Sequence, residues 1–341
     1  MIYCSSISAL LYIASCELLV KEPLTFVRYA NTDPSYYDSE QEKIISEWIK
    51  FICKEAGIRL EGFYELKSIF RSSVKEVPAQ FVIWSNELIE LPRWAVHNGD
   101  TLDDGLLSLW LTITKGKKLN VVGHGVGGIL NMIPALSGNV FINHLRAIRN
   151  TFIRHKIDRL FFFNGMNQEL AKFLPWYLAR KVQFIDVQSV NRFCLQLADK
   201  LIERYPILSE VSKLNKRITI YAPTGEVKDI DYFSYLQKQI QYFPFAHDTV
   251  FVIKNHPSDP RDYGPYFDLL GLKTITLSSL EWRWFPLEII LNVNPDCQYL
   301  GAYSGAMLTI DRSRRSVYMP AKDEVVNFYH REYSALINSL R

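Results

Sequence analysis

The first candidate for chemistry is a histidine that directly follows a short apolar run. Residues 250–253 predict a strand buried on both faces, and Lys254, Asn255, His256 and Pro257 come next. Ligands of α/β proteins bind beyond the carboxyl ends of the strands, and an ammonium with an imidazole at that place suits an anionic, phosphorylated ligand. The proline also favours an extended backbone at His256. Taken alone, a histidine that caps a strand end is the simpler interpretation.

A second candidate is a group of carboxylates between two glycines. Asp103 and Asp104 stand directly before Gly105, and Asp100 follows Gly99. Adjacent carboxylates serve general acid–base catalysis, because like charges push one pKa up, or they bind metals. Two aspartates alone supply too few ligands to specify a metal site. A turn capped by an aspartate side chain is the alternative that needs no function.

Further polar residues stand at the predicted ends of strands or starts of helices. Thr224 and Gly225 lie between a predicted strand and a predicted helix, where backbone N–H groups bind anions. Pro286 predicts the start of a helix with Glu288 near its positive dipole end, and Ser304 follows another predicted strand.

A glycine-rich stretch at residues 123–128 predicts a tight strand-to-helix turn. An α/β-hydrolase would need a serine nucleophile in such a turn, and Val126 cannot replace it. The spacing of the glycines also differs from that of a dinucleotide-binding fingerprint. The stretch therefore carries no assigned chemistry.

Composition indicates a globular protein that lacks the charge of a general nucleic-acid binder. The 341 residues are 48% hydrophobic and 22% charged, with a net charge of only +3. Five scattered cysteines without a CxxC pair favour a reducing compartment and no zinc site. Two basic clusters, at residues 146–159 and 312–315, are interpreted as solvated faces, with contact to an anionic membrane surface as the alternative.

Alternating strand and helix patterns predict an α/β protein with two domains. The clearest helix, at residues 41–56, carries apolar residues at helical spacing and ends at Gly57. A long helical tract at residues 191–214 contains Pro206, where we place the boundary between the domains. The apolar N-terminal residues predict a strand and a helix at residues 7–19, since Lys21 and Pro23 interrupt the apolar run too early for a signal peptide.

The order and spacing of the polar motifs resemble those of bacterial sialyltransferases and polysialyltransferases. The motifs that carry the resemblance are Asp103-Asp104-Gly105, Lys254-x-His256-Pro257 and Ser304. The resemblance implies an α/β fold of the GT-B type, in which two Rossmann-like domains face each other across a cleft. Residues 1–205 would then bind the acceptor, residues 206–322 a CMP-activated nonulosonic acid, and residues 323–341 would form a helix that crosses back to the first domain.

The same resemblance implies an inverting transfer to a sugar hydroxyl of a capsule or lipooligosaccharide, with no metal and no cofactor besides the donor substrate. Asp103 would be the general base and Asp104 would tune it. His256 would donate a proton or hydrogen bond to the departing CMP phosphate. The remaining implied donor-site residues are Lys254, Pro257, Glu288 and Ser304, with Thr224 and Gly225 in the nucleotide-binding turn.

Several alternatives stay open on the sequence. CMP-Kdo, CMP-pseudaminic acid and CMP-legionaminic acid present the same groups as CMP-sialic acid, and a non-catalytic binding protein would keep the same fold. Gly305 stands where many members of the family have a second hydroxyl residue beside Ser304. The expected location is the cytoplasm, with peripheral contact to the inner face of the membrane through the basic clusters.

Overall fold

A computed structural model of the chain describes residues 2–4, 7–17, 20–21, 24–28, 39–65, 82–85, 119–122, 157–164, 171–172, 176–214, 217–223, 236–237, 240–241, 248–257, 259, 261–301 and 305–317. The chain divides into two units, Met1–Phe193 and Cys194–Arg341. Each unit is organised around one parallel β-sheet.

The N-terminal unit is built on a seven-stranded sheet with the order β3-β2-β1-β4-β5-β6-β7, and every neighbouring pair is parallel. Its elements are β1 (Ile2–Cys4), α1 (Ile7–Ala14), β2 (Leu24–Arg28), α2 (Ser39–Ala56), β3 (Leu60–Glu65), β4 (Val82–Ser85), β5 (Leu119–Val122), β6 (Ile157–Asn164), α3 (Trp176–Ala179) and β7 (Val182–Asp186).

Helix α2 shows how the sequence pattern sets the packing in this unit. Ile45, Trp48, Ile49 and Ile52 are buried on one face, as their helical spacing predicts. The helix ends at Gly57, whose φ of 69° is a left-handed conformation that glycine adopts without a Cβ penalty.

The C-terminal unit contains a five-stranded parallel sheet with the order β10-β9-β8-β11-β12. The helix that leads into it, α4 (Val187–Leu201), begins in the N-terminal unit. The other elements are α5 (Pro206–Lys213), β8 (Ile218–Ala222), β9 (Val250–Lys254), α6 (Gly264–Leu269), β10 (Lys273–Leu277), α7 (Leu280–Trp284), α8 (Leu287–Val293), β11 (Gln298–Gly301) and β12 (Arg315–Val317), with short 3-10 helices at Ala306–Thr309 and Arg312–Arg314.

The core of the C-terminal unit surrounds the two central strands. Every residue of β8 and β9 is buried, because helices cover both faces of such a sheet. Phe267 of α6 packs its ring 5.1 Å from that of Phe251 on β9 and 5.2 Å from that of Tyr221 on β8. These contacts hold α6, and the loop that precedes it, against the sheet.

The strand order places a ligand-binding crevice between β8 and β11. The chain runs outward from β8 to β10 on one side and continues at β11 on the other, and such a reversal is where ligands bind in open α/β sheets. The two strands approach closely at Gly301, where a Cβ would overlap the carbonyl oxygen of Ala222 and lie 2.7 Å from the Tyr299 hydroxyl. Only glycine fits this position without displacing the neighbouring strand.

The structure confirms the predicted α/β fold with two Rossmann-like sheets, and it changes several details. The predicted helical tract at residues 191–214 breaks before Pro206, which begins α5. Helix α1 ends at Ala14, short of the predicted residue 19. The chain divides after Phe193, within α4, and the Tyr205 ring packs 5.3 Å from that of Phe285 inside the C-terminal unit. Among the described helices, none has the length and apolar character needed to cross a membrane.

Candidate functional site

Strand β9 delivers the predicted histidine motif to the carboxyl edge of the C-terminal sheet. The strand ends at Lys254, and Asn255, His256 and Pro257 follow as a turn. Strand β9 neighbours β8, so this turn lies one strand away from the crevice between β8 and β11. The predicted position of His256 at a ligand-binding edge therefore follows from the observed strand order.

Hydrogen bonds within the loop fix the backbone around His256. The N–H of Asp259 donates to the carbonyl of His256 at 2.9 Å, which closes a four-residue turn with Pro257 at its second position. The side-chain amide of Asn255 is buried and donates to the carbonyls of Asp259, at 3.1 Å, and Arg261. The residue between Lys254 and His256 thus ties the two ends of the loop together.

Asp259 is the buried centre of this loop, a role that the sequence did not reveal. Its Oδ1 accepts from the Arg261 backbone N–H at 3.2 Å and from Arg261 Nε at 2.6 Å. Its Oδ2 accepts from Arg261 Nη2 at 2.9 Å and from the Tyr263 hydroxyl at 2.6 Å. The sequence signal is the spacing of an acid, an arginine and a tyrosine at alternate positions, beginning two residues after Pro257.

His256 is exposed at the surface of the loop. Desolvation by the surrounding protein lowers its pKa to about 4, the positive charge of Lys254 acts in the same direction, and the negative charge of Asp259 opposes them. Because the residue is exposed, solvent screens part of this effect. The imidazole is neutral at neutral pH, so it acts there as a hydrogen-bond donor and not as a cation.

Lys254 is an interior residue of the C-terminal unit. The residue is 6% exposed, and its ammonium donates to the carbonyls of Asn255 at 3.0 Å and Arg283 at 2.6 Å. Burial lowers the pKa of Lys254 to about 7, Glu288 opposes this shift, and Arg283 adds to it. Through these bonds Lys254 joins β9 to α7, and its contact with a phosphate stays a prediction.

Glu288 is also an interior residue. It stands in the first turn of α8, as predicted, but it is only 1% exposed. Its charge acts on Lys254 and, after the larger effect of burial, raises the pKa of the Cys194 thiol on α4. The structure therefore groups Glu288 with Lys254 inside the unit, and its contact with a cytidine stays a prediction.

The other predicted site residues lie outside the described residues. They are Asp103, Asp104 and Gly105 of the carboxylate motif, Thr224 and Gly225 after β8, Ser304 after β11, and the glycine-rich stretch at residues 123–128.

No protein-family profile and no curated protein sequence matches this chain. Among solved structures, wall teichoic acid polymerase TagF is similar with a TM-score of 0.45 and 12% identity, over 91% of this chain and 67% of that one. UDP-GlcNAc 2-epimerase from Methanocaldococcus jannaschii, in complex with UDP-GlcNAc and UDP, gives a TM-score of 0.48 and 15% identity over 91% of this chain and 81% of that one. S. aureus MnaA with UDP gives a TM-score of 0.47 and 12% identity, over 94% of this chain and 78% of that one. Similarities of this size carry no functional argument, and the fold assignment rests on the two sheets.

The second basic cluster is part of the packing of the C-terminal unit. Arg314 donates from Nε to the carbonyl of Cys297 at 2.7 Å and from Nη2 to that of Asn294 at 3.3 Å. Arg315 donates from Nε to the carbonyl of Ile310 at 3.0 Å. These guanidinium groups are partly buried and engaged with the backbone, which argues against the interpretation of the cluster as a purely solvated face.

The described residues contain no group of three His, Cys, Asp or Glu side chains that could hold a metal ion. Among the described residues, the thiols of Cys16, Cys53, Cys194 and Cys297 are buried and form no disulfide. Burial raises the pKa of the Cys53 thiol to about 12, so this group is a poor nucleophile.

The pKa of Lys254 predicts a rise in stability with pH. The folded protein releases the Lys254 proton near pH 7, and the unfolded chain releases it near 10.5. Between these values the unfolded state binds more protons, so the free energy of unfolding rises by up to about 1.4 kcal/mol per pH unit. Urea unfolding of the parent and Lys254→Met at several pH values measures this, with Lys273→Met as the control for loss of an exposed lysine. If the free energies of unfolding of the parent and Lys254→Met differed by the same amount at every pH from 7 to 10, the lowered pKa of Lys254 would be contradicted.

Proposed function

We propose that the chain is an inverting, metal-independent glycosyltransferase of the GT-B type. Its donor is a CMP-activated sialic acid or a related nonulosonic acid, and its acceptor is a sugar hydroxyl of a surface glycan, in a capsule or a lipooligosaccharide. The proposal extends to a cytoplasmic location with peripheral contact to the inner face of the membrane.

The observation that carries this proposal is the presentation of His256. The imidazole is exposed on a turn that hydrogen bonds hold, at the carboxyl end of a buried strand beside the crevice. A group held in this way loses little freedom when it donates to a ligand. A neutral imidazole suits a phosphate oxygen on which negative charge grows as the bond to the sugar breaks, because such help is greatest in the transition state.

The motifs supply the rest of the proposed mechanism. Asp103 takes the proton of the acceptor hydroxyl, which is a poor nucleophile until a base removes it. Asp104 sets the protonation of Asp103, since two adjacent carboxylates do not ionise independently. Ser304 donates a hydrogen bond to the CMP phosphate, and Thr224 and Gly225 approach the nucleotide with their backbone.

Release of CMP from a panel of donors tests the proposal. Purified protein is incubated with a glycan acceptor and CMP-sialic acid, CMP-Kdo, CMP-pseudaminic acid or CMP-legionaminic acid, and CMP and the glycan product are measured together. UDP-GlcNAc serves as the comparison nucleotide sugar. The variant Asp103→Ala lacks the proposed general base, and we expect it to form no product.

We expect acceptor-dependent CMP release with one of the four donors, which also identifies the sugar. Tight CMP binding without turnover on any acceptor would favour a binding protein and contradict the transferase. Turnover of UDP-GlcNAc with no response to any CMP-sugar would contradict the donor class.

A further inference from the structure

We propose that Asp259 is a positioning residue for His256, and that its buried carboxylate sets the direction in which the imidazole is presented. The kinetic consequence of this inference rests on the proposed function, whereas its structural consequence does not. The resemblance assigned no role to this residue, which becomes visible only in the hydrogen bonds of the loop.

Asp259 is connected to His256 through the backbone. The hydrogen bond from the Asp259 N–H to the His256 carbonyl closes the turn at 2.9 Å. Pro257, inside the turn, has no N–H and a fixed φ, so it limits the conformations between the two residues. A change in the position of Asp259 therefore moves the backbone that carries the imidazole.

Asp259 is in turn fixed to the hydrophobic core. The Tyr263 hydroxyl donates to Asp259 Oδ2 at 2.6 Å, and the Tyr263 ring lies 5.9 Å from that of Tyr221 on β8. Both rings are buried in the core of the unit. The carboxylate thus links the histidine turn to the strand that borders the crevice.

Arg261 completes the support from the solvent side. Its Nε and Nη2 donate to the two oxygens of Asp259 at 2.6 and 2.9 Å, a bidentate geometry that restricts the rotation of the carboxylate. The Asp259 side chain is 0% exposed and that of Arg261 is 31% exposed. A fully desolvated carboxylate with four hydrogen-bond donors is held in one orientation. Because the N–H of the same residue closes the turn, the turn is held as well.

The charge of Asp259 provides a direct readout of this arrangement. Among the described residues, the charge of Lys254 disfavours protonation of the His256 imidazole and that of Asp259 favours it. Removal of the carboxylate lowers the pKa of His256 below its parent value. A residue that served only the stability of the loop, at a distance from the ring, would leave this titration unchanged.

Asp259→Asn tests the inference with Asp262→Asn as the matched control. Asn keeps the size of the side chain and removes its charge. Asp262 lies three positions along the same loop and accepts from the Gly264 N–H at 3.0 Å. The measurements are the NMR titration of the His256 ring, assigned with His256→Ala, and the separate kcat and KM values with the CMP-sugar that is turned over.

We expect Asp259→Asn to lower the pKa of His256 and to reduce kcat about 10- to 100-fold with little change in KM. Asp262→Asn should match the parent in both measurements. A folded Asp259→Asn protein with the parent titration and the parent kcat would overturn the proposal. If no CMP-sugar is turned over, the proposed function fails, and the His256 titration in Tyr263→Phe, which keeps the Asp259 charge and removes only the bond to its Oδ2, still decides the positioning role.

Tyr263→Phe keeps the test open if Asp259→Asn does not fold. It removes the hydroxyl that holds Oδ2 and keeps the buried ring in the core. A several-fold lower kcat with an unchanged KM, or an altered His256 titration, supports the inference. If the kcat and the His256 titration of Tyr263→Phe both match those of the parent, the inference is overturned.

Discussion

His256→Ala is expected to lower kcat by about 10²- to 10³-fold, which is the cost of removing one positioned hydrogen-bond donor to a developing negative charge. His256 would help chiefly as negative charge develops on the departing phosphate, so the affinity for CMP should change little. The side chain is exposed, and its loss leaves the internal hydrogen bonds of the turn in place. The free energy of unfolding should therefore stay within about 0.5 kcal/mol of the parent.

Steady-state kinetics and calorimetric titration with CMP measure the two effects separately. His256→Gln is the matched variant, because its amide retains an N–H donor near the original position. It should recover part of the lost kcat. A kcat at the parent value in both variants would refute the role of His256 in the transition state. If CMP affinity fell and KM rose while kcat stayed unchanged, His256 would contribute ground-state binding only.

Arg314→Ala is expected to lower the free energy of unfolding by about 3 kcal/mol, since burying a carbonyl without a donor costs about 1–3 kcal/mol. One guanidinium group holds the carbonyls of Leu291 and Asn294 at the end of α8 and that of Cys297 before β11. It also donates to the Cys297 Sγ at 3.0 Å. Alanine leaves the Cys297 carbonyl without its arginine donor, whereas the carbonyls of Leu291 and Asn294 still accept from the Cys297 Sγ and N–H. The change therefore loosens the connection between α8 and β11.

Urea unfolding of three variants separates the structural role of Arg314 from its charge. Arg314→Lys keeps the charge and loses the planar group that reaches several carbonyls, so it should recover less than half of the loss. Arg59→Ala removes an arginine whose side chain is 77% exposed in its ion pair with Glu61, and should cost less than about 1 kcal/mol. Equal stability of Arg314→Ala and the parent would show that the contacts of Arg314 contribute nothing.

The α/β fold could be predicted because its central elements have unambiguous patterns. Four apolar residues in a row define β9, and the helical spacing of Ile45, Trp48 and Ile52 defines α2. Strand β3 was missed, since Gly62 interrupts its apolar alternation. Helix α7 was missed because it has five residues, too few for a periodic signal, although Ser279 caps it by accepting from the Trp282 N–H.

The types of residue at the site could be predicted from the sequence, but the burial of their side chains could not. The end of β9 placed His256 at the edge of the sheet, which depends only on local sequence. The position of Lys254 depends on the Arg283 carbonyl, 29 residues further along the chain. A buried lysine and an exposed lysine after a strand look alike in sequence, so the pattern could not distinguish support of the loop from contact with a phosphate.

Helix α4 has a consequence for dissecting the protein. Strand β7 ends at Asp186 and the helix starts at Val187, and the two units divide after Phe193, within its second turn. A fragment that starts at residue 194 would therefore begin in mid-helix without the first turns of α4. An expression fragment of the C-terminal sheet should include the whole helix from Val187.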